Sequence, residues 1–253
     1  MRFIRYQTPS QPPRFGWVHE DKVGPLDGLP FGEFRRLEAN LPLRSVTLLA
    51  PVEPGKIIGI GRNYVEHARD LGNPAPEIPM LFLKPSSTVI GPQEKILLPP
   101  QSQQVEHEAE LVAVIGRVGR WIPLEKAMDY VLGYTIGNDI TARDLQQRDG
   151  QWTRAKGFDT FCPLGHWIET ELDPTDVMIT CHVNGGMRQM ASTRDMVFNI
   201  KQLVAFISSV MTLYPGDIIM TGTPAGTGQL MDGDVVQITV DGIGTLRNPV
   251  AAR

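Results

Sequence analysis

Short apolar runs, separated by glycine and proline, dominate this sequence and restrict it to a strand-rich fold. Seven runs of five to seven residues have the composition of β-strands: KIIGIG (56–61), MLFLK (80–84), ELVAVIG (110–116), YTIGND (134–139), VMITCHV (177–183), DIIMTG (217–222) and VVQITV (235–240). Because they do not alternate regularly with helices, a doubly wound parallel sheet is disfavoured. We therefore predict a β-rich α+β fold.

A few other local signals place helices and turns. Apolar residues repeat at helical spacing from Ile200 to Met211, and Asn199 before them suits an N-cap. A shorter helix is expected from Pro123 to Tyr130, and Asn184-Gly185-Gly186 indicates a hairpin turn.

The prolines divide the chain into two unequal parts. Residues 1–52 are predicted to form a small β-rich module, with strands in MRFIRYQ and RFGWVHE and one short helix in PFGEFRRLEANL (30–41). Pro51 and Pro54 lie at its end, and residues 53–253 are predicted to form the second, larger domain.

Charge and composition exclude several classes of function. The net charge is −4 and the basic residues form no cluster, which argues against a nucleic-acid partner. The N-terminus lacks the apolar segment of a signal peptide, and no apolar stretch is long enough to span a membrane. We therefore expect a cytoplasmic protein. Its two cysteines, Cys162 and Cys181, are too few for a disulfide framework and are expected to be buried.

Three acidic residues occur where apolar strands begin or end. Glu108 and Glu110 alternate into the run that continues as Leu111–Ile115, so they share one face, and Asp139 ends another apolar run. The simplest alternative is a strand end where these acids face water. Together, however, they make an all-oxygen set that suits a hard divalent cation, Mg²⁺ first and Mn²⁺ or Ca²⁺ next, with coordination positions left for substrate.

His67 and Asp70 are a candidate pair for proton transfer. Their i, i+3 spacing would place both on one face of a short helix, and a carboxylate beside an imidazole raises its basicity. The alternative is a surface histidine on a mobile loop. His107 has the opposite parity to Glu108 and Glu110 and should point away from a metal.

At these residues the chain resembles the fumarylacetoacetate hydrolase family over residues 55–250. The resemblance rests on seven motifs in order: GRNYVEHARDLG (61–72), MLFLKPSS (80–87), HEAELVAVIG (107–116), NDITARDLQ (138–146), AKGFDTFCPLG (155–165), VNGGMRQ (183–189) and GDIIMTGTPAGTG (216–228). It implies a mixed β-sandwich roll, a homodimer, and a Mg²⁺ site made by Glu108, Glu110 and Asp139. Glu106 lies outside the motif and is interpreted as a surface charge.

The resemblance also implies roles for other residues. Lys156 would lie beside the metal and the substrate oxygens, Gln146 would contact substrate, and Thr223 would hold a substrate carboxylate through its hydroxyl. His67 and Asp70 would activate water, although the family commonly has Glu where this chain has Asp70. Arg143 could instead be structural.

The implied substrate is a small 2-oxo acid or its enol, which reacts through an enolate. The main expectation is C–C hydrolysis of an acylpyruvate or decarboxylation of a β-keto acid such as oxaloacetate. The alternative is an isomerase or tautomerase, acting on a 2-hydroxy-dienedioate or on oxaloacetate. A catalytically inactive metal-binding relative is a more remote possibility.

Overall fold

The computed structural model describes residues 1–70, 74 and 76–253, with Ala68 and Asp70 described by their backbone alone. In chain order, the strands are β1 (Arg2–Thr8), β2 (Gln11–His19), β3 (Lys22–Gly28), β4 (Phe34–Arg36), β5 (Leu41–Pro42), β6 (Thr47–Leu48), β7 (Ile57–Gly61), β8 (Met80–Lys84), β9 (Val89–Ile90), β10 (Ile96–Leu98), β11 (Val105–His107), β12 (Ala109–Ile115), β13 (Val131–Asn138), β14 (Thr141–Ala142), β15 (Cys162–Pro163), β16 (Ile168–Glu169), β17 (Met178–Val183), β18 (Gly186–Ser192), β19 (Ile218–Met220), β20 (Gly228–Gln229), β21 (Val235–Val240) and β22 (Gly244–Ala252). The α-helices are α1 (Val65–Asp70), α2 (Arg143–Asp149), α3 (Thr153–Lys156) and α4 (Ile200–Val210), and short 3₁₀ segments cover Leu43–Ser45, Ser86–Thr88, Leu124–Tyr130 and Thr193–Asp195.

Two large sheets contain 17 of the 22 strands of the described chain. Twelve strands form one mixed sheet in the order β4-β3-β2-β1-β16-β13-β12-β19-β7-β8, with β5 paired to β3 and β6 paired to β1. A second sheet has the order β10-β22-β21-β17-β18, and a small one has the order β14-β11-β20. The prediction of a β-rich α+β fold is confirmed.

Strand β12 lies between two apolar cores because its side chains alternate. Leu111, Ala113 and Ile115 pack into the larger core, which also receives the inner residues of β17, β21 and α4. Val112 and Val114 pack into a second core on the other face. The strand is therefore buried on both faces, which fixes its register and the position of the acidic residues at its beginning.

All seven predicted strand segments are strands, although several boundaries differ by one to three residues. The prediction of α4 is also confirmed: the Asn199 side chain accepts the N–H of Gln202, and the Gln202 side chain accepts the N–H of Asn199. Residues 124–130 form a 3₁₀ helix where a shorter helix was expected. Asn184 and Gly185, both with positive φ, make the predicted turn between β17 and β18.

The helix predicted within residues 30–41 is wrong. Strand β4 lies there and pairs antiparallel with β3, Leu26 opposite Arg36 and Gly28 opposite Phe34. Phe34 also packs edge-on against Phe3, with ring centroids 5.3 Å apart. These distant partners outweigh the local helical preference of the segment.

The N-terminal strands extend the large sheet, since β1 pairs with β16 of the larger domain.

Both cysteines are buried and free, as predicted. In the described part of the chain, no helix has the length and apolar character needed to cross a bilayer.

Candidate active site

The candidate site lies where the chain passes from the small sheet into the large one. Glu108 is the residue between β11 and β12, and Glu110 is on β12. The Glu108 N–H donates to the Asn138 side chain at 2.9 Å, and the Asp139 N–H donates to the Glu108 carbonyl at 2.9 Å. These two bonds hold the end of β13 against the beginning of β12, and so bring Asp139 beside Glu108.

The three acidic residues meet in the interior. Each of Glu108, Glu110 and Asp139 offers a carboxylate oxygen, and these oxygens lie within 4.8 Å of one another. The residues are 4%, 1% and 0% exposed. The alternative of a solvated strand end is therefore wrong.

Three buried cations surround these acids. The Lys156 Nζ lies 2.7 Å from Glu108 Oε2 and 2.6 Å from Asp139 Oδ2. On the far side of Asp139, Lys84 Nζ lies 2.5 Å from Oδ1. The Arg143 guanidinium donates to Glu108 Oε1 at 2.6 Å. Lys156 itself is only 2% exposed, so its charge is held in the interior beside these acids.

Glu106 is also part of this network, and its interpretation as a surface charge is wrong. It is buried, and its Oε2 accepts from Arg143 Nε at 2.8 Å. Arg143 therefore bridges Glu106 and Glu108, two residues apart on the same extended segment. The sequence interpretation missed this because the partner lies 37 residues farther along the chain.

Glu110 is the least compensated of the acids. Its carboxylate accepts a hydrogen bond from the Gly222 N–H, at 2.8 Å. Burial, and then repulsion from Asp139 and Glu108, raise its pKa well above the usual value. Burial also acts to raise the pKa of Glu108, but Lys156 and Arg143 outweigh it and hold that pKa low.

The residues present fit a divalent cation. Among the described residues of this network, four buried carboxylates face three buried cations, so one negative charge is left over. The raised pKa of Glu110 is consistent with this excess of negative charge. An all-oxygen set of carboxylates suits a hard ion such as Mg²⁺, Mn²⁺ or Ca²⁺.

A cleft of about 160 Å³ opens beside this centre. Glu108 and Lys156 reach it from the interior, and Gln146, Thr223 and His67 line it as well. The structure therefore brings these predicted site residues to one cavity. Phe82 and Trp152 form an aromatic wall, and Trp152 lies so close to Gly61 that a Cβ there would meet its ring at 2.7 Å.

Two of the lining side chains are already held by neighbours. Gln146 accepts from Arg143 Nη1 at 2.6 Å. The Thr223 hydroxyl donates to the Ala109 carbonyl at 2.9 Å and accepts from Gln189 Nε2 at 2.8 Å. To be bound by Thr223, a substrate carboxylate would have to replace the Ala109 carbonyl as the acceptor of this hydroxyl. The carboxylate-binding role of Thr223 therefore stays a prediction.

His67 lies on α1, is 5% exposed, and lines the cleft. Asp70 ends the same helix, but its side chain lies outside the described part of the chain. The pairing of the two therefore stays a prediction. His107 turns away from the acids and contacts Gln189 Oε1 at 2.9 Å.

Sequence reasoning missed three residues that shape the site. Lys84 ends the apolar run MLFLK. A charged residue at the end of an apolar strand is the same signal that identified the acids, so Lys84 could have been predicted from the sequence. Arg143 was noted only as a structural candidate. Gln189 has no local signal, because its partners His107 and Thr223 are 82 and 34 residues away.

Comparison with known proteins identifies the chain's relatives. The family model "Fumarylacetoacetate (FAA) hydrolase C-terminal" matches residues 56–251, and "Rv2993c-like, N-terminal" matches residues 1–51. Protein Rv2993c of Mycobacterium tuberculosis is 50% identical over 227 residues, covering 88% of this chain and 86% of that protein. Oxaloacetate tautomerase FAHD2B, mitochondrial, of Bos taurus is 44% identical over 223 residues, covering 83% of this chain and 71% of that protein.

A solved structure agrees with these matches. The crystal structure of 5-carboxymethyl-2-hydroxymuconate delta-isomerase from Mycobacterium smegmatis superposes with a TM-score of 0.93 at 47% identity, covering 100% of both chains. Members of this family are enzymes that include isomerases and tautomerases, and they typically depend on a divalent metal. The fold, the buried acidic centre and the family model over residues 56–251 agree with one another. The chain therefore belongs to the fumarylacetoacetate hydrolase family.

Proposed function

We propose that this protein is a divalent-cation-dependent isomerase or tautomerase that moves a proton between the enol and keto forms of a small 2-oxo acid, such as oxaloacetate. The observation that carries the proposal is the position of Lys156, a buried cation held by Glu108 and Asp139 on the cleft that His67 also lines. A fixed positive charge beside an enolate oxygen and an imidazole within the same cavity are what a proton transfer at the neighbouring carbon requires.

The similar proteins favour this alternative over the main expectation of C–C hydrolysis or decarboxylation. One relative carries the name oxaloacetate tautomerase and a solved relative that of a delta-isomerase. The replacement of the usual Glu by Asp70 supports the same choice. A shorter acid would position an attacking water differently, whereas keto–enol transfer needs no water as nucleophile.

Glu108, Glu110 and Asp139 would hold the cation, with Mg²⁺ as the first candidate. When bound, the cation would supply positive charge to the oxygens of the substrate. Burial alone would lower the pKa of Lys156, but Asp139 and Glu108 outweigh it and raise that pKa. Lys156 is therefore a permanent charge and not a base, so proton transfer falls to His67.

In the direction from enol to keto, His67 takes the proton of the C2 hydroxyl, and the electron pair of the C2–C3 double bond then takes up a proton at C3. Lys156 stabilises the negative charge on the C2 oxygen between the two events. His67 delivers or accepts the proton at C3. Gln146 and the aromatic wall orient the substrate and limit the access of water.

The test is the decay of enol oxaloacetate, followed by its ultraviolet absorbance, with Mg²⁺ and then with excess EDTA. Acceleration that requires the metal and is lost in Asp139→Asn supports the proposal. Proton NMR of the same mixture would detect pyruvate from decarboxylation, and acetylpyruvate would report hydrolysis. Either activity without faster enol decay contradicts the proposal and returns the assignment to lyase or hydrolase chemistry. Assembly as a homodimer also stays a prediction, which light scattering on the purified protein tests.

A further inference from the structure

Arg62 is a charged group in the cleft wall that the proposed chemistry does not use. It follows Gly61 at the end of β7 and lines the cleft beside His67. Its Nε is shielded from solvent and donates to no partner: among the described residues, neither a hydrogen bond nor an ion pair reaches this side chain. A shielded guanidinium nitrogen without a partner is rare and calls for an explanation.

The other cations of the cleft differ in this respect. Arg143 and Lys156 also line it, but Arg143 is paired with Glu106 and Glu108, and Lys156 is paired with Glu108 and Asp139. Glu108 is the one carboxylate among the cleft's described lining residues, so none of the described residues offers Arg62 an acid of its own there. The charge on Arg62 is therefore available to an anion that enters the cleft.

The backbone conformation at Arg62 is a second observation that favours a ligand-binding role. Its φ is +57°, a left-handed conformation that side-chain-bearing residues other than Asn and Asp seldom adopt. Glycine or asparagine would suit that turn better, and glycine already stands at position 61. The chain thus places an arginine where the local fold alone would not select one, and strained residues of this kind cluster at ligand sites.

We propose that Arg62 determines specificity by binding a second carboxylate of the substrate, so that the enzyme prefers dicarboxylic 2-oxo acids over monocarboxylic ones. The inference rests on the proposed function, since the 2-oxo acid end is assigned to the metal centre and Lys156. The two ends of the substrate then meet two separate groups of charge. Arginine suits the role because its planar fork can donate two parallel hydrogen bonds to one carboxylate.

The test compares two substrates that differ only at the far end. Oxaloacetate carries a carboxylate where 2-oxobutanoate carries a methyl group. The measured quantity is the ratio of the two kcat/KM values for enol–keto exchange, by enol absorbance and by solvent deuterium exchange at C3. In Arg62→Gln this ratio should fall roughly tenfold to a hundredfold, the range expected for a lost charge-assisted hydrogen bond. Arg62→Lys should recover part of it.

Two further variants separate this role from folding and from general electrostatics. Arg62→Gly relieves the left-handed backbone, so it should melt no lower than wild type while losing the same preference. Arg69→Gln removes an equal charge from the exposed side of α1, which borders a different cleft, and should keep the wild-type ratio. An unchanged ratio in Arg62→Gln, or an equal loss for both substrates, overturns the proposal, as does an equal loss of preference in Arg69→Gln.

A binding measurement keeps the inference distinct from the proposed reaction. Malate and 2-hydroxybutanoate are stable counterparts of the same pair and can be titrated by calorimetry in the presence of Mg²⁺. Wild type should bind malate more tightly, and Arg62→Gln should bind the two alike. If no enol–keto exchange occurs but this pattern appears, the proposed function fails and the role of Arg62 stands. If wild type does not distinguish malate from 2-hydroxybutanoate, the role of Arg62 is refuted whatever reaction the enzyme performs.

Discussion

Replacing Glu110 with Gln should have opposite effects on stability with and without a divalent cation. In the metal-free protein this carboxylate is buried, accepts one N–H from Gly222, and is repelled by Asp139 and Glu108. Glutamine keeps an oxygen for the Gly222 N–H but removes the repelled charge. We therefore expect Glu110→Gln in EDTA to be more stable than wild type by about 1 kcal/mol.

In the presence of Mg²⁺ the order should reverse. At a concentration a hundred times the dissociation constant, binding stabilises the wild-type protein by about 2.7 kcal/mol, which corresponds to about 5–10 °C in melting temperature. Removing a residue that only hydrogen-bonds to a metal ligand already lowers metal affinity by about 10–100-fold. Losing a ligand should cost at least about a hundredfold, and at the same Mg²⁺ concentration the gain then falls to about 0.4 kcal/mol.

The assay is thermal unfolding of both proteins across a Mg²⁺ titration, starting from EDTA. Glu106→Gln is the matched control, because Glu106 is also a buried acid but is bound to Arg143 and lies outside the triad. It should lose about 3 kcal/mol in both conditions, as expected when one partner of a buried ion pair is removed, yet keep the full Mg²⁺ gain. A Glu110→Gln protein that retains the wild-type Mg²⁺ shift would refute the assignment of Glu110 as a ligand.

Three further predictions follow from other contacts. Lys156→Met should lower kcat for enol–keto exchange by about 10²–10³-fold, and a variant with wild-type kcat would contradict its role. Asn199→Ala removes the cap of α4 and should cost about 1 kcal/mol of unfolding free energy with unchanged kinetics; loss of activity without loss of stability would be the contrary result. Burial tends to raise the pKa of Glu169, but hydrogen bonds from the Glu171 N–H and from Arg2 lower it overall. Its contribution to the free energy of unfolding, up to about 1 kcal/mol, is therefore present above the unfolded-state pKa and is lost as pH falls through the folded-state pKa. In Glu169→Gln, the loss of stability between neutral and acidic pH should be smaller by that amount, as measured by denaturation at each pH.

Local pattern was sufficient for the seven predicted strand segments, for α4 and for the metal-site hypothesis. The alternation of Glu108 and Glu110 into the apolar residues of β12 follows from the two-residue period of a strand, which requires no knowledge of the partner strands. The cap at Asn199 and the turn at Asn184-Gly185 are likewise short-range, because their hydrogen bonds or dihedral angles involve residues close in sequence. The seven ordered motifs added the family and, with it, Lys156.

Local pattern failed where distant segments decide the outcome. Residues 34–36 have helical preference, yet they form β4 because β3 offers an open edge and Phe3 a contact for Phe34. Glu106 read as a surface acid, because nothing near it in sequence shows that Arg143 would cover it.

What the sequence alone determined is therefore the seven predicted strand segments, the helix α4 and the three acids that could bind a cation. What only the tertiary structure decided is how those acids are compensated: Lys84, Arg143 and Lys156 approach from three separate elements, and Arg62 is left without an acidic partner among the described residues. The physical reason is that hydrogen bonds and ion pairs act over a few ångströms in space. Their strength depends on burial and on the sum of nearby charges, and both exist only after residues from distant parts of the chain have been packed together.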